Sequence, residues 1–153
     1  MIQRKQTLYL LLAAVLTIVV MVLPIGRFEA ATMGDSVQLY ALGLVGASGA
    51  FVLGIPSFLL AISVFTLCVG LYCIFQYKNR KLQMRLCVLN MYGMALWYAC
   101  FYYVGYVADT HIGTTFRPEL MAACPAILAI LYFMAWRGIK ADEELIRSTD
   151  RIR

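Results

Sequence analysis

Residues 55–77 read IPSFLLAISVFTLCVGLYCIFQY and carry no charged side chain. A helix rises 1.5 Å per residue, so about 20 such residues cross a hydrocarbon core of about 30 Å. Pro56 suits the first turn, where the missing N–H has no helical partner to lose. Residues 8–25, LYLLLAAVLTIVVMVLPI, form a similar run, with Pro24 at the far end where a helix can stop. Residues 86–108, LCVLNMYGMALWYACFYYVGYVA, form a third. The fourth is residues 120–139, opened by Pro118 and Glu119, and Pro125 inside it is expected to kink or loosen its second turn. The expected fold is an all-α membrane protein, a four-transmembrane-helix bundle forming a single membrane domain over residues 1–153.

Composition agrees. Of 153 residues, 63% are hydrophobic and 14% charged, against about 45–50% and about 25% in soluble domains. So small a globule has too much surface for its volume to hide that excess from water. The net charge of +5 is not read as a nucleic-acid footprint, because the basic residues gather at the ends of apolar runs, as membrane topology requires. Cys68, Cys73, Cys87, Cys100 and Cys124 lie in or beside apolar runs with no CxxC spacing, and are read as small apolar fillers.

Orientation follows from lysine and arginine. With both termini and the loop between spans two and three in the cytoplasm, that side holds Arg4, Lys5, Lys78, Arg80, Lys81, Arg85, Arg137, Lys140, Arg147, Arg151 and Arg153, and the other only Arg27 and Arg117. Eleven against two is a strong positive-inside bias. A cleaved signal peptide is the rival for the first run, but Phe28-Glu29-Ala30 fits the small-residue cleavage pattern poorly, and the run exceeds the usual signal core.

The outer loop, residues 27–54, is long and apolar. Residues 36–42 alternate partially, residues 46–49 suit a turn and residues 50–53 suit a returning strand. A small extracytoplasmic β-hairpin between helices 1 and 2, or an irregular interfacial loop, both fit. The cytoplasmic tail, residues 140–153, is amphipathic. Ala141, Leu145 and Ile152 share one side, and Glu143 with Arg147 makes an i,i+4 pair.

No ionisable residue lies near a span centre, where it would mark function. Asn90 is the clearest polar group within a span and is expected to make an interhelical contact. Tyr92 and Tyr98 need partners for their hydroxyls. Ala95 with Ala99, and Ala122, Ala126 and Ala129, have the spacing of close helix contacts. At the outer boundary, Asp109 ends span three, and His111 follows in a short loop with Arg117 and Glu119. Asp109, His111 and Glu119 form only a weak cluster at no recognised metal-ligand spacing. The P-loop, zincin and nucleophile-elbow motifs are all absent. No catalytic residue, metal ligand or cofactor is therefore assigned.

Three segments carry a family resemblance: residues 1–14, MIQRKQTLYLLLAA; residues 77–90, YKNRKLQMRLCVLN; and residues 137–153, RGIKADEELIRSTDRIR. They resemble the Bacteroidota inner-membrane family catalogued as domain of unknown function 4293, over nearly the whole chain. The resemblance implies four spans in the bacterial inner (cytoplasmic) membrane and no assigned activity. All three segments fall on the cytoplasmic side. Lys78, Arg80, Lys81, Arg85, Arg147, Arg151 and Arg153 are thus the candidate surface for a partner protein or for anionic headgroups, the latter worth about 1 kcal/mol per nearby cation. The expected role is a non-enzymatic scaffold or accessory subunit, with membrane lipids and a membrane-protein partner or a second copy as its contacts. A small oligomeric transporter or channel, and a membrane enzyme at the outer boundary, are the alternatives.

Overall fold

The computed structural model describes residues 5–30, 36–45, 51–52, 57–77, 79–112 and 114–150. Their architecture is four α-helices with a five-stranded antiparallel sheet at one end.

Helix α1 (Lys5–Val22) ends just short of Pro24. Helix α2 (Ser57–Phe75) lies within the uncharged run quoted first. Helix α3 (Arg80–Ile112) is longer than its apolar core at both ends. Asn79 starts it, because its Oδ1 accepts the Leu82 N–H at 3.2 Å and so satisfies one of the donors left open by a helix N-terminus. The basic segment after α2 is therefore mostly the first turns of α3 rather than a loop. At the other end Asp109 lies in the last helical turns, and His111 is helical too rather than in a loop.

Helix α4 (Cys124–Asp150) takes in most of the tail, residues 140–150, as a direct continuation. It is preceded by a 3₁₀ turn, Leu120–Ala123. Pro125 therefore stands in the first turn of α4, where proline is tolerated, and not inside a kinked span. The junction is closed by Tyr98 of α3. Its hydroxyl donates to the Ala122 carbonyl at 2.8 Å and accepts the Ala126 N–H at 3.1 Å. The expectation of a hydroxyl partner holds for Tyr98, whereas the Tyr92 side chain is 72% exposed.

Helix α1 packs on α2 and α4, and α3 packs on the same two, so the helices form a ring. Close approach of α2 to α3 is set by Gly93, where a Cβ would stand 2.7 Å from the Thr66 methyl, and by Trp97 Nε1, which donates to Ser63 Oγ at 3.2 Å. Ala95, Ala99 and Ala126 face outward, while Ala122 is buried and Ala129 half-buried. Helix spacing there is set by glycine and hydroxyl side chains more than by the alanine pattern.

The strands β1 (Gly26–Ala30), β2 (Val37–Leu39), β3 (Leu44–Val45), β4 (Phe51–Val52) and β5 (Thr114–Pro118) pair in the order β4-β3-β2-β1-β5. This corrects the simple hairpin. Segment 36–42 is cut by a tight turn in which Tyr40 and Gly43 exchange backbone hydrogen bonds at 2.9 and 3.2 Å. The chain reverses there, and β4 pairs with β3. The expected turn at 46–49, with positions 50 and 53 of the returning strand, lies outside the described residues. The sheet is joined to the helices by Phe116, which packs against Phe28 and Phe101 with ring centroids 5.0 and 5.2 Å away. Arg27 stands opposite Arg117 across β1 and β5. Each arginine instead reaches a carboxylate, Arg27 to Glu119 at 3.2 Å and Arg117 to Glu29 at 3.1 Å.

One apolar cluster beneath the sheet includes Ile25, Leu39, Leu59, Trp97 and Phe101. A second, toward the opposite end, includes Leu10, Cys73, Cys87, Leu128, Tyr132 and Ile139. Two helical segments, Ser57–Phe75 and Leu120–Ile146, are long and apolar enough to cross a membrane, and Gln6–Val22 is a shorter apolar helix. In α3 the tyrosines and Asn90 lower the hydropathy of an otherwise long segment.

Candidate functional site

The end of the bundle away from the sheet is tied by buried amides. Gln6 of α1 donates to the Gly138 carbonyl at 3.2 Å and to the Asp142 carboxylate. Gln83 of α3 donates to the Cys73 carbonyl at 3.1 Å, near the C-terminal end of α2 where carbonyls lack helical partners. Arg80 donates to the Asp142 backbone carbonyl at 2.8 Å. Three helices are thus fastened here to the fourth or to one another by polar side chains.

Beside these ties a groove of about 770 Å³ runs between α3 and α4. Its apolar part is walled by Val88, Leu89, Tyr92 and Trp136, with Met84 at the transition. Its polar part is walled by Lys81, Arg85, Lys140, Glu143 and Glu144. Lys140 Nζ sits 5.4 Å from the centre of the Trp136 ring and 3.9 Å from Glu144. The volume is that of an ordinary small-molecule site, and its two walls differ in character along the helix axes rather than across them.

A second polar feature lies inside the ring of helices. Asn90 is 0% exposed, and neither its Oδ1 nor its Nδ2 has a hydrogen-bond partner among the described residues. The Tyr132 hydroxyl, also fully buried, is in the same condition. Both converge on Gly70 of α2, where a Cβ would lie 2.6 Å from Tyr132 Oη and 3.6 Å from Asn90 Nδ2. Thr17 of α1, beside Tyr132, turns its hydroxyl to the Ala13 carbonyl at 2.8 Å. The expected interhelical contact of Asn90 is therefore one of proximity without a hydrogen bond. Next to the pair, the Cys73 and Cys87 sulfurs are 3.7 Å apart.

A family model described as Domain of unknown function (DUF4293) matches residues 2–152. The chain belongs to the DUF4293 family. No curated protein and no solved structure matches it. Both the groove and the Asn90–Tyr132 pair fall within the DUF4293 match, and the family description assigns neither a role.

Of the residues singled out in this DUF4293 chain, the structure brings Lys81 and Arg85 together in the groove and turns Arg80 away into its tie with α4. Lys78, Arg151 and Arg153, and the side chain of Arg147, lie outside the described residues. Glu119 is held by Arg27, and its N–H bonds the Ile25 carbonyl at 3.1 Å. The side chains of Asp109 and His111 lie outside the description. Among the described residues no three His, Cys, Asp or Glu side chains gather as a metal site. Tyr92, Trp136, Lys140, Glu143 and Glu144 were not foreseen as one site. The available signal was the amphipathic tail continuing span four, but the partner face on α3 depends on helix pairing.

Proposed function

We propose that this protein spans the bacterial inner membrane four times, with both ends in the cytoplasm, and acts without catalysis as a scaffold or accessory subunit. Its docking surface is the basic inner end formed by the start of α3 and the C-terminal half of α4. The observation that carries this reading is the division of charge between the two ends. In the sequence, eleven of the thirteen lysines and arginines flank the ends that this topology assigns to the cytoplasm, and Arg27 and Arg117, assigned to the other side, each meet a glutamate. Support also comes from the helix surfaces. Large apolar side chains point outward from all four helices, for example Leu11, Phe65, Leu96 and Ile130. Gln6, Thr17, Ser63, Gln83 and Asn90 point inward. Water favours the opposite arrangement and lipid favours this one.

The test has two arms. Single cysteines placed at positions 81 and 117 in a cysteine-free background should be labelled by an impermeant maleimide from the cytoplasmic and the outer side respectively. Affinity capture in mild detergent should then recover one stoichiometric partner, lost on removal of Arg147, Arg151 and Arg153. Labelling of position 81 from outside, or capture of bare monomer alone, would refute the reading.

A small oligomeric transporter or channel is the second reading, favoured by the buried Asn90 amide, whose two polar atoms have no partner among the described residues. Proteoliposomes that leak small ions, and cease to leak with Asn90→Leu, would establish it over the first.

A further inference from the structure

The walls of the α3–α4 groove match one kind of amphiphile. From Lys81 to Tyr92 the α3 wall rises about 16 Å, passing from charge at the inner boundary to apolar and aromatic side chains at hydrocarbon depth. Across it, α4 makes the same passage in reverse, from Trp136 to Lys140 and on to Glu143 and Glu144. A lipid of the inner leaflet has the same polarity along the same axis.

The polar end also distinguishes between headgroups. Lys140 already stands beside Glu144 at 3.9 Å, so Lys81 and Arg85 are left to suit a phosphate while the Glu143 carboxylate shares the wall with them. A purely anionic headgroup would leave Glu143 facing like charge, since Glu144 has Lys140 beside it. A quaternary ammonium has no N–H to offer a carboxylate and is recognised by open aromatic faces, whereas the Trp136 ring already carries Lys140. A phosphate joined to a primary ammonium satisfies both, with charge-assisted hydrogen bonds to the Glu143 carboxylate.

We propose that this groove seats one aminophospholipid of the phosphatidylethanolamine type, its phosphate toward Lys81 and Arg85, its ammonium toward Glu143, and an acyl chain along Val88, Leu89 and Tyr92. The proposal rests on the inner-leaflet placement of this end of the bundle and names one ligand of that surface.

The test is native mass spectrometry of the full chain released from nanodiscs containing equal parts of phosphatidylethanolamine, phosphatidylcholine and phosphatidylglycerol. The expected result is one retained phosphatidylethanolamine per chain, favoured over each competitor about tenfold, equivalent to about 1.4 kcal/mol. The variant Glu143→Gln should lose the preference over phosphatidylcholine and gain phosphatidylglycerol. Arg85→Ala should lose retained lipid of every class. Thermal unfolding in detergent, unchanged in these variants, shows that each is folded. Equal retention of all three lipids, preference for phosphatidylglycerol in the unaltered chain, or indifference to both variants would overturn the proposal. Absence of a protein partner with this preference intact removes only the docking role. Labelling of position 81 from outside removes the leaflet assignment beneath both.

Discussion

Asn90 shows how far a single residue can be read. Its position in an apolar run announces a buried amide, because an unpaired one facing lipid is expensive. What sequence does not convey is that Asn90 shares its buried space with Tyr132, 42 residues later, or that Gly70 clears the space between them. An amide left unsatisfied in the interior carries its full desolvation penalty. Asn90→Leu should therefore raise stability in detergent by about 1–3 kcal/mol, read as a higher unfolding midpoint, and a lower midpoint would mean that the amide is paired in the membrane. Tyr98 is the converse case. Its hydroxyl serves one carbonyl and one N–H at the start of α4, so Tyr98→Phe should lower stability by about 1–3 kcal/mol. A neutral result would show that the junction finds other partners.

At the scale of elements, the helices were legible because apolar runs of 18 or more residues admit few other readings. Their ends were not, since Arg80 and His111 carry no apolar signal, and caps such as Asn79 were not picked out. The sheet was the least legible part. Strands β1 and β5 are about 90 residues apart, and neither alternates strongly. The turn at Tyr40–Gly43 splits what reads as one strand. In the groove, Lys81 and Arg85 followed from the charge pattern, whereas Trp136 and Glu143 required knowing that α3 and α4 are neighbours. The β1–β5 junction separates two effects. Its two ion pairs are exposed, and removing both through Glu29→Gln and Glu119→Gln should change stability by no more than about 1 kcal/mol. Phe116→Ala, which empties the space against Phe28, Phe101 and Gly105, should cost about 3 kcal/mol, the lower end of the range for a core aromatic. Equal effects of the two changes in denaturant titrations would contradict this division.

For the molecule as a whole, the proposed solvent determines its behaviour outside the bilayer. Large apolar side chains are exposed along all four helices, and such surface drives association in water, so detergent removal should convert a monodisperse particle into aggregate on size-exclusion chromatography. A stable monomer in plain buffer would end the membrane reading. Helix α4 has one further consequence. Its 27 residues extend about 40 Å, longer than a hydrocarbon core of about 30 Å, so in the proposed bilayer its last turns would project as a stiff arm. The arm is gripped at its root by Gln6 from α1 and Arg80 from α3. A load applied to its tip is therefore not dissipated in a floppy linker. It would be shared by two other helices at once, as with a lever whose fulcrum is built into the bundle.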